Sequence, residues 1–512
     1  MRIVLDMQGA QTASRYRGIG RYTLALAQAM VRNQSKHEIY IALNAAFPDT
    51  LEPMRRALSP LLPAHQICIW HSPPTVTGSP TDTATRKRIA SRIRNHFFSS
   101  LEPDAIHVTS LFEGFEDEAL ADIPETSNHA LVAVTVYDFI PLLNPQEYLD
   151  NHPPYAAFYR QKIQQLKKAD VFLAISDSSK AEAINHLALQ PEQVVNISAA
   201  CEAHFRPLHL SDQQAKACLE KWGIQRPFIL YTGGADERKN LPRLIQAYAE
   251  LPPHIRVQHQ LVFAGKLADA ERQQLLTHAA TYRLGDHELC FTGFITDEEL
   301  VEAYNLCKLF VFPSWHEGFG LPALEAMSCG APVIASRTSS LPEVMGLDAA
   351  LFDPFSVHDL GEKMLKALTN EAFRRQLIEH GQQQSRHFSW DHCARTALSS
   401  IESRHAQRPQ PDSANAHSLP SAPARLSSHI QDLALTLRAL KDSTDADLST
   451  LAACIAANEQ QAAAAMLPRQ LAWRTEGPFD SSYSLALVNR EFAKALNAVG
   501  HDVALHSTEG PG

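Results

Sequence analysis

The feature that most constrains the fold is a short apolar run, Leu309 to Phe312, which leads into a glycine-containing turn and then into a segment of helix formers. The turn and the start of the helical segment read Pro313-Ser-Trp-His-Glu-Gly-Phe-Gly-Leu-Pro-Ala-Leu-Glu325. A strand that feeds a helix through such a turn is the repeating unit of a parallel, doubly wound α/β sheet. Because the first amides of a helix have no internal acceptor, the turn also predicts an anion site.

Two carboxylates flank the start of this predicted helix. Glu317 precedes the helix, and Glu325 lies about one turn inside it. The amides of Phe319, Gly320 and Leu321 are expected to point outward together, with the positive end of the helix dipole behind them. A ligand lying across the helix start would meet one carboxylate at each end, which indicates two separate tasks for the two glutamates.

The spacing Glu317-x7-Glu325, written E-G-F-G-L-P-x-L-E, resembles the donor-site signature of the retaining nucleotide-sugar glycosyltransferases of family 4. The resemblance implies an α/β fold of the GT-B type, in which two Rossmann-like domains face a central cleft. It also implies that Glu317 contacts the transferred sugar and that Glu325 binds the ribose hydroxyls of the donor. The donor diphosphate would be held by the residues between them, which begin with Gly318, Phe319, Gly320 and Leu321.

A second turn of the same kind follows the strand-like run from 228 to 232. Its glycines are Gly233 and Gly234, and a helical segment begins soon after Arg238 and Lys239. These basic residues match the R-K-N segment of the family, whose lysine pairs with the departing diphosphate. Many relatives have an arginine directly after the first glycine, where this chain has Gly234. The resemblance therefore implies catalytic roles for Lys239 and Arg238.

Two further pairs of residues match donor-binding positions of the family. A polar loop with Gly18 and Gly20 connects the first strand-like run to a helical segment. It resembles the amino-terminal glycine loop that borders the donor phosphates and the acceptor. Phe294 and Ile295 match the place where relatives hold the nucleotide base, although an apolar turn between two layers accounts for them equally well.

Asp138 is the remaining catalytic candidate. It follows a nearly continuous apolar run, residues 130–136, which is typical of a buried parallel strand. Relatives commonly have a His-Asp pair here, beneath the donor sugar, whereas this chain has Tyr137 before Asp138. Polar residues at the carboxyl end of a strand are site candidates in a doubly wound sheet, but Asp138 can also cap the following turn.

The order of these segments predicts four parts. Residues 1–205 would form the acceptor-side domain, and residues 206–404 the donor domain with a helix that returns to the first. Residues 405–467, rich in Pro, Ser and Ala and then in Ala and Leu, are interpreted as a linker and a helical spacer. Residues 468–512 repeat the strand, loop, helix and strand plan of residues 2–43. We interpret them as the start of a second transferase module in a longer polypeptide.

The charge and composition of the chain indicate which classes of protein it does not belong to. The net charge of −10 argues against bulk binding of nucleic acid. The eight cysteines form no CxxC pair, no apolar run approaches a membrane span, and the start of the chain does not resemble a signal peptide. The expected location is therefore the cytoplasm. The spacing of possible ligands predicts no metal and no other cofactor.

Two segments of the first domain are less distinctive. Residues 48–84 contain many Pro, Thr and Ser without a clean period, which predicts mostly loop. Residues 86–98 place Ile89, Ile93 and Phe97 at helical spacing among five basic residues. This helix either packs its apolar stripe on the core with solvated charges outside, or it contacts an anionic membrane, which would make the protein peripheral on the inner face of the cell membrane.

The resemblance extends over residues 1 to about 404 and is greatest to bacterial mannosyltransferases of polysaccharide and O-antigen assembly. It implies transfer of a sugar from a nucleoside diphosphate to a hydroxyl of a growing cell-surface polysaccharide or lipid-linked glycan, with retention at the anomeric carbon. GDP-mannose is the expected donor, ahead of UDP-glucose. The alternative from another class is a catalytically silent module that binds glycan or nucleotide sugar as a scaffold.

Overall fold

The computed structural model describes residues 1–76, 80–126, 130–285, 287–408, 445–466, 472–477 and 502–507. Among these described residues, those through Asn458 form one compact unit, and those from Glu459 onward form a second. The first unit is built on two parallel sheets with helices packed against them. The predicted α/β class with two Rossmann-like sheets is confirmed by this topology.

The first sheet contains seven parallel strands, which are β1 Arg2–Asp6, β2 Glu38–Asn44, β3 Ile67–Trp70, β4 Ala105–Val108, β5 Leu131–Val136, β6 Val171–Ala174 and β7 Val194–Asn196. Their order across the sheet is β3-β2-β1-β4-β5-β6-β7. The accompanying helices are α1 Gly18–Arg32, α2 Pro48–Leu58, α3 Pro80–Ser100, α4 Ile140–Leu143, α5 Pro145–Tyr148, α6 Pro153–Leu166 and α7 Asp177–Leu187. Burial of most strand residues explains why the strands read as apolar runs.

The second sheet contains six parallel strands, which are β8 Phe228–Thr232, β9 Gln260–Ala264, β10 Leu289–Gly293, β11 Leu309–Phe312, β12 Val333–Ser336 and β13 Leu351–Phe352. Its helices are α8 Asp212–Lys221, α9 Leu241–Ala249, α10 Pro253–Arg256, α11 Asp269–Thr281, α12 Asp297–Leu306, α13 Leu321–Ser328, α14 Leu341–Met345, α15 Val357–Thr369, α16 Glu371–Ser385 and α17 Trp390–Ala406. The order β10-β9-β8-β11-β12-β13 reverses direction between β8 and β11, as the first sheet does between β1 and β4. Ligands of doubly wound sheets bind at such reversals, outside the carboxyl ends of the strands.

The prediction of mostly loop for residues 48–84 is wrong. Helix α2 begins with a proline in its first turn and buries Thr50, Met54 and Leu58, which are four residues apart. Strand β3 follows with four buried residues, and α3 has already begun at Pro80. The many Pro, Thr and Ser residues hid these elements because the helix is short and amphipathic and the strand has only four residues.

The basic segment of α3 is helical as predicted, and Ile89, Ile93 and Phe97 are buried. The basic residues do not share one solvent face, however. Arg86 and Arg94 are buried, whereas Arg88 and Arg92 are exposed. An anionic surface could therefore meet Arg88 and Arg92 but not the whole cluster.

Arg94 forms a buried ion pair inside the first domain. One of its guanidinium nitrogens contacts Asp6 Oδ2 at 2.7 Å, and another pairs with Asp122. Arg94 and Asp6 are 0% and 1% exposed. The side chain of Gln8 donates to both oxygens of Asp6 and to the carbonyl oxygen of Leu120. This network holds the loop at the carboxyl end of β1 in place.

The chain crosses between the two sheets twice. The first crossing connects β7 to α8, and the second connects α16 to α17. Helix α16 packs on α13 of the second domain, whereas α17 packs on α1 of the first, with the rings of Trp390 and Tyr22 edge to face at 5.1 Å. Phe388, in the second crossing, makes a similar contact with Phe319 at 5.6 Å.

Helix α18, Asp445–Met466, lies in the predicted helical spacer. Its Asn458 accepts a hydrogen bond from the amide of His71 and donates one to the carbonyl oxygen of His71. The predicted strands near the end of the chain are present as β14 Ala472–Gly477 and β15 Asp502–Ser507, which pair in parallel. The helix predicted between them lies outside the described residues. Within the described ranges, no helix is both long and apolar enough to cross a membrane.

Candidate active site

The turn after β11 has the geometry of an anion site. Gly320 caps α13 with φ 107°, a left-handed conformation that favours glycine, and Pro322 lies in the first turn of that helix. A Cβ on Gly320 would also lie 2.6 Å from the side chain of Leu341. Glycine at this position therefore meets both a conformational and a steric requirement.

The amides of residues 318–321 donate to no acceptor in the described part of the chain. The other polar groups of the turn are held in place. Ser340 Oγ donates to the carbonyl oxygens of Glu317 and Phe319 at 2.9 and 2.7 Å, and the amide of Glu317 donates to Ser339 Oγ at 2.9 Å. The turn is thus rigid, with its amides available for a phosphate. We call residues 318–321 the amide cradle.

Glu317 lies between two cations. Its Oε1 contacts Lys239 Nζ at 2.6 Å, and its Oε2 contacts Arg238 Nη1 at 2.8 Å. Burial by itself would raise the pKa of Glu317, but Lys239 and Arg238 lower it to about 2. Glu317 is 8% exposed and is therefore a buried carboxylate that stays ionised. The structure thus brings together Glu317, Lys239 and Arg238, which are far apart in the sequence.

Backbone geometry fixes this cationic turn. Asn240 has φ 62°, and its side chain donates to the carbonyl oxygens of Pro313 and Pro354 at 3.1 and 2.7 Å. Gly233 has φ 131°, a left-handed conformation that favours glycine, and the carbonyl oxygen of Gly234 accepts from the hydroxyl of Tyr231 at 2.7 Å. Both glycines are exposed at the start of the turn.

Asp138 extends from the first domain to the amide cradle. A Cβ on Gly318 would lie 2.7 Å from the carbonyl oxygen of Tyr137 and 3.1 Å from Asp138 Oδ2, so the two domains meet closely here. Burial raises the pKa of Asp138, and Arg238 opposes that shift. Asp138 also accepts from the amide of Ile140 at 3.2 Å, so it caps the following turn as well as facing the site.

Tyr137 does not present its hydroxyl to the cradle. The hydroxyl donates to the carbonyl oxygen of Thr109 at 3.0 Å and contacts Thr23 Oγ1 at 3.1 Å. Both partners belong to the first domain. Tyr137 therefore braces the end of β5 through its side chain and contacts the motif through its backbone.

Glu325 is the second carboxylate and lies on α13, 3% exposed. Its Oε1 accepts from Arg21 Nη2 at 2.6 Å, and its Oε2 accepts from the hydroxyl of Tyr304 at 3.1 Å. Burial raises the pKa of Glu325, whereas Arg21 opposes that shift. A cation from the first domain thus reaches the carboxylate proposed to bind ribose.

Gly18 and Gly20 belong to the first turn of α1 rather than to a loop before it. A Cβ on Gly20 would lie 2.3 Å from Arg15 Cα, because the preceding 3-10 helix packs tightly against α1. Gly18 faces the second domain, where a Cβ would lie 3.9 Å from the side chain of Leu321. The structure therefore places Gly18 beside the cradle and gives Gly20 a packing role.

Phe294 and Ile295 follow β10. Phe294 is 74% exposed, and Ile295 is half-buried against the core. Their match to a base-binding position stays a prediction.

Several residues at the site were missed. His316, inside the motif, contacts Glu182 Oε1 of α7 at 2.8 Å, and Glu182 Oε2 accepts from the amide of Phe139. Arg21 directly follows Gly20, so its position in the sequence could have suggested it. Glu182 and Tyr304 lie in ordinary helical segments and carry no such signal. Among the described residues, no group of three or more His, Cys, Asp or Glu could hold a metal ion.

Comparison with known proteins shows which family the chain resembles in sequence and fold. Residues 219–384 match the family model described as glycosyl transferases group 1. The serotype-specific mannosyltransferase WbdA of Escherichia coli is 37% identical over 399 residues, which are 78% of this chain and 47% of WbdA. The O-antigen chain mannosyltransferase B of Escherichia coli is 32% identical over 275 residues, 53% of this chain and 70% of that protein.

A crystal structure of HepE from Anabaena, in complex with UDP and glucose, has a similar fold. It aligns with a TM-score of 0.58 at 16% identity and covers 79% of this chain and 100% of that chain. This chain spans about half the length of the WbdA relatives that it matches. The matched family model, the O-antigen relative and the two-sheet GT-B fold agree, and the chain belongs to the group 1 glycosyltransferases.

Proposed function

We propose that this chain transfers a sugar from a nucleoside diphosphate to a hydroxyl of a growing cell-surface polysaccharide or lipid-linked glycan. One observation carries the proposal. The amide cradle adjoins the ion cluster of Glu317, Lys239 and Arg238, and the two lie at the junction where Asp138 arrives from the first domain. This arrangement offers positive charge for a diphosphate beside carboxylates for a sugar.

The residues divide the work according to their charge. The cradle amides and the dipole of α13 would bind the diphosphate, and Lys239 would neutralise the charge that grows on it as the sugar departs. An ammonium group has three donors, so Lys239 can contact a phosphate while it remains paired with Glu317. Glu325 would bind the ribose hydroxyls, and Glu317 and Asp138 would face the transferred sugar.

We propose retention at the anomeric carbon by departure and return on one face of the sugar. A double displacement would need a carboxylate nucleophile on the opposite face. Both oxygens of Glu317 are engaged by cations, and its pKa of about 2 makes it a weak nucleophile. In the one-face route, the leaving phosphate oxygen accepts the proton of the attacking hydroxyl. In this route, the role of Glu317 is electrostatic stabilisation of the transition state and not nucleophilic attack.

Mannose from GDP-mannose is the donor that we propose. The support is the similarity to two relatives that are mannosyltransferases by name, a serotype-specific mannosyltransferase and an O-antigen chain mannosyltransferase. The corresponding acceptor is the non-reducing end of an O-antigen glycan. We further propose that the protein is cytoplasmic. Arg88 and Arg92 would contact an anionic membrane, so that the protein would be peripheral on its inner face.

A donor panel tests the activity. The whole chain is incubated with GDP-mannose, GDP-fucose, UDP-glucose or UDP-galactose and with a labelled oligomannoside, and both transfer and donor hydrolysis are measured by chromatography. Transfer from GDP-mannose, with the α configuration retained in the product, is expected. Folded protein that neither transfers nor hydrolyses any donor would instead favour a silent scaffold that binds glycan or nucleotide sugar.

Glu317→Gln is expected to lower kcat while the donor KM changes little. The carboxylate should matter most as positive charge develops at the anomeric carbon, because such interactions act in the transition state. A charged hydrogen bond contributes about 1.5–3 kcal/mol, which corresponds to about 10- to 150-fold in rate. Steady-state kinetics measure both constants, with Glu362→Gln, an exposed change on the same domain, as the control. Parental turnover by Glu317→Gln would contradict the assignment of the site.

A further inference from the structure

Arg21 belongs to the first domain and contacts a cluster of acidic residues at helix α13 of the second domain. Its Nη2 is 2.6 Å from Glu325 Oε1 and 3.3 Å from Glu202 Oε2, and its Nη1 is 3.9 Å from Asp297 Oδ1. The guanidinium carbon also lies 5.5 Å from the ring centre of Phe205. One cation therefore bridges carboxylates from α12, α13 and the first crossing.

The groups around Glu325 show why Arg21 matters for the charge of its carboxylate. The groups that face the carboxyl are Arg21 from α1, Glu202 from the first crossing and the hydroxyl of Tyr304 from α12, with the thiols of Cys201 and Cys329 close by. Burial and Glu202 both favour the neutral form of Glu325. Arg21 is the nearby cation that favours the carboxylate.

Arg21 and Tyr304 also fix the direction of the carboxylate. Each of them occupies one oxygen, at 2.6 and 3.1 Å. A carboxylate has about four acceptor positions, so the two remaining positions can accept two neighbouring hydroxyls. A pair of ribose hydroxyls fits that pattern.

We propose that Arg21 is a positioning residue for the donor site: from the first domain, it keeps the Glu325 carboxylate charged and oriented to accept the ribose hydroxyls of the donor. This inference rests on the ribose-binding role given to Glu325 above. It adds that donor affinity in the second domain depends on a side chain of the first, and therefore on how the two domains are apposed.

Calorimetric titration of the whole chain with GDP and with UDP tests the inference. Arg21→Gln is expected to weaken binding of the preferred nucleotide about tenfold or more, the loss that corresponds to one charged interaction. The loss should grow as the pH is lowered over the range in which the protein stays folded, because without Arg21 the Glu325 carboxyl takes up a proton more readily and then no longer accepts from both hydroxyls. The parent should change less over that range, since Arg21 stabilises the carboxylate.

Two further variants separate this role from a merely structural one. Arg21→Lys retains the charge and should recover much of the affinity. Adding Glu202→Gln to Arg21→Gln removes the repelling carboxylate and should restore binding in part, mainly at the lower pH. Arg17→Gln, an exposed change just before α1, is the matched control and should bind as the parent does. Circular dichroism and thermal melts verify that each variant is folded.

A double-mutant cycle with Glu325→Gln gives the decisive outcomes. If Arg21 acts through Glu325, Arg21→Gln should add little loss to the Glu325→Gln chain. An equal loss in both backgrounds would show that Arg21 contacts the nucleotide itself and would overturn the inference. Parental affinity in Arg21→Gln, with weak binding in Glu325→Gln, would overturn it and leave the proposed function intact. Parental affinity in Glu325→Gln, or failure of the parent to bind either nucleotide, would refute the ribose role itself.

Discussion

Lys239→Gln is expected to lower kcat about 100- to 1000-fold, the loss typical when one preorganised donor to a developing anion is removed. Lys239 Nζ lies 2.6 Å from Glu317 and next to the amide cradle, where charge on the departing diphosphate would grow. Glutamine retains a hydrogen-bond donor but carries no charge, so the loss should fall mainly on the transition state. The donor KM should rise by a smaller factor.

The measurement is steady-state transfer with the donor selected by the panel. Lys308→Gln changes an exposed lysine of the same domain and should retain parental kinetics. A second comparison is with Arg238→Gln, because Arg238 holds the other oxygen of Glu317. If Lys239→Gln retained the parental kcat, the diphosphate could not be where the cradle predicts.

Arg94→Met should destabilise the first domain by about 3–5 kcal/mol, the usual cost of breaking a buried ion pair from one side. In the described part of the chain, the substitution leaves the carboxylate of Asp6, which is 1% exposed, with the side-chain amide of Gln8 as its one remaining hydrogen-bond donor. A buried carboxylate without a countercharge is strongly disfavoured. The result should be a lower urea midpoint with a similar dependence on denaturant.

The same helix supplies the control for this prediction. Arg92→Met changes an exposed arginine two residues away and should alter stability by no more than about 0.5 kcal/mol. Adding Asp6→Asn to Arg94→Met should recover part of the lost stability, because the uncompensated charge is then gone. Equal midpoints for the Arg94 and Arg92 variants would show that the buried pair does not support the fold.

The sequence was informative about the fold where a continuous apolar run stood out from the residues around it. The strands β5, β8 and β11 stand out because parallel strands covered on both faces are continuous apolar runs. Helix α2 escaped prediction because it buries only every fourth residue, and strand β3 because its four apolar residues lie within a segment rich in Pro, Thr and Ser. Short elements are stabilised by the tertiary contacts around them, which a local pattern does not reveal.

Some residues of the candidate site could likewise be predicted from the sequence, and others could not. Glu317, the cradle and Glu325 lie within nine consecutive residues, so spacing alone could indicate them. The resemblance suggested catalytic roles for Arg238 and Lys239, but their ion pairs with Glu317, about 78 positions away in the sequence, were not predicted. Glu182 and Tyr304 had no signal, because their importance comes from the faces that helices α7 and α12 present to the motif.

The two crossings also determine how the domains can move. A Cβ on Gly330 would be 3.8 Å from Pro207 of the first crossing and 2.9 Å from Gln382 in the last turn of α16, just before the second crossing. A rotation of one domain against the other would have to be taken up in these two connecting segments, and Phe388 lies in the second of them. The ring of Phe388 packs on Phe319 of the cradle, 5.6 Å away. A change in the angle between the two domains is therefore expected to shift Phe388 against Phe319, and with it the amide cradle.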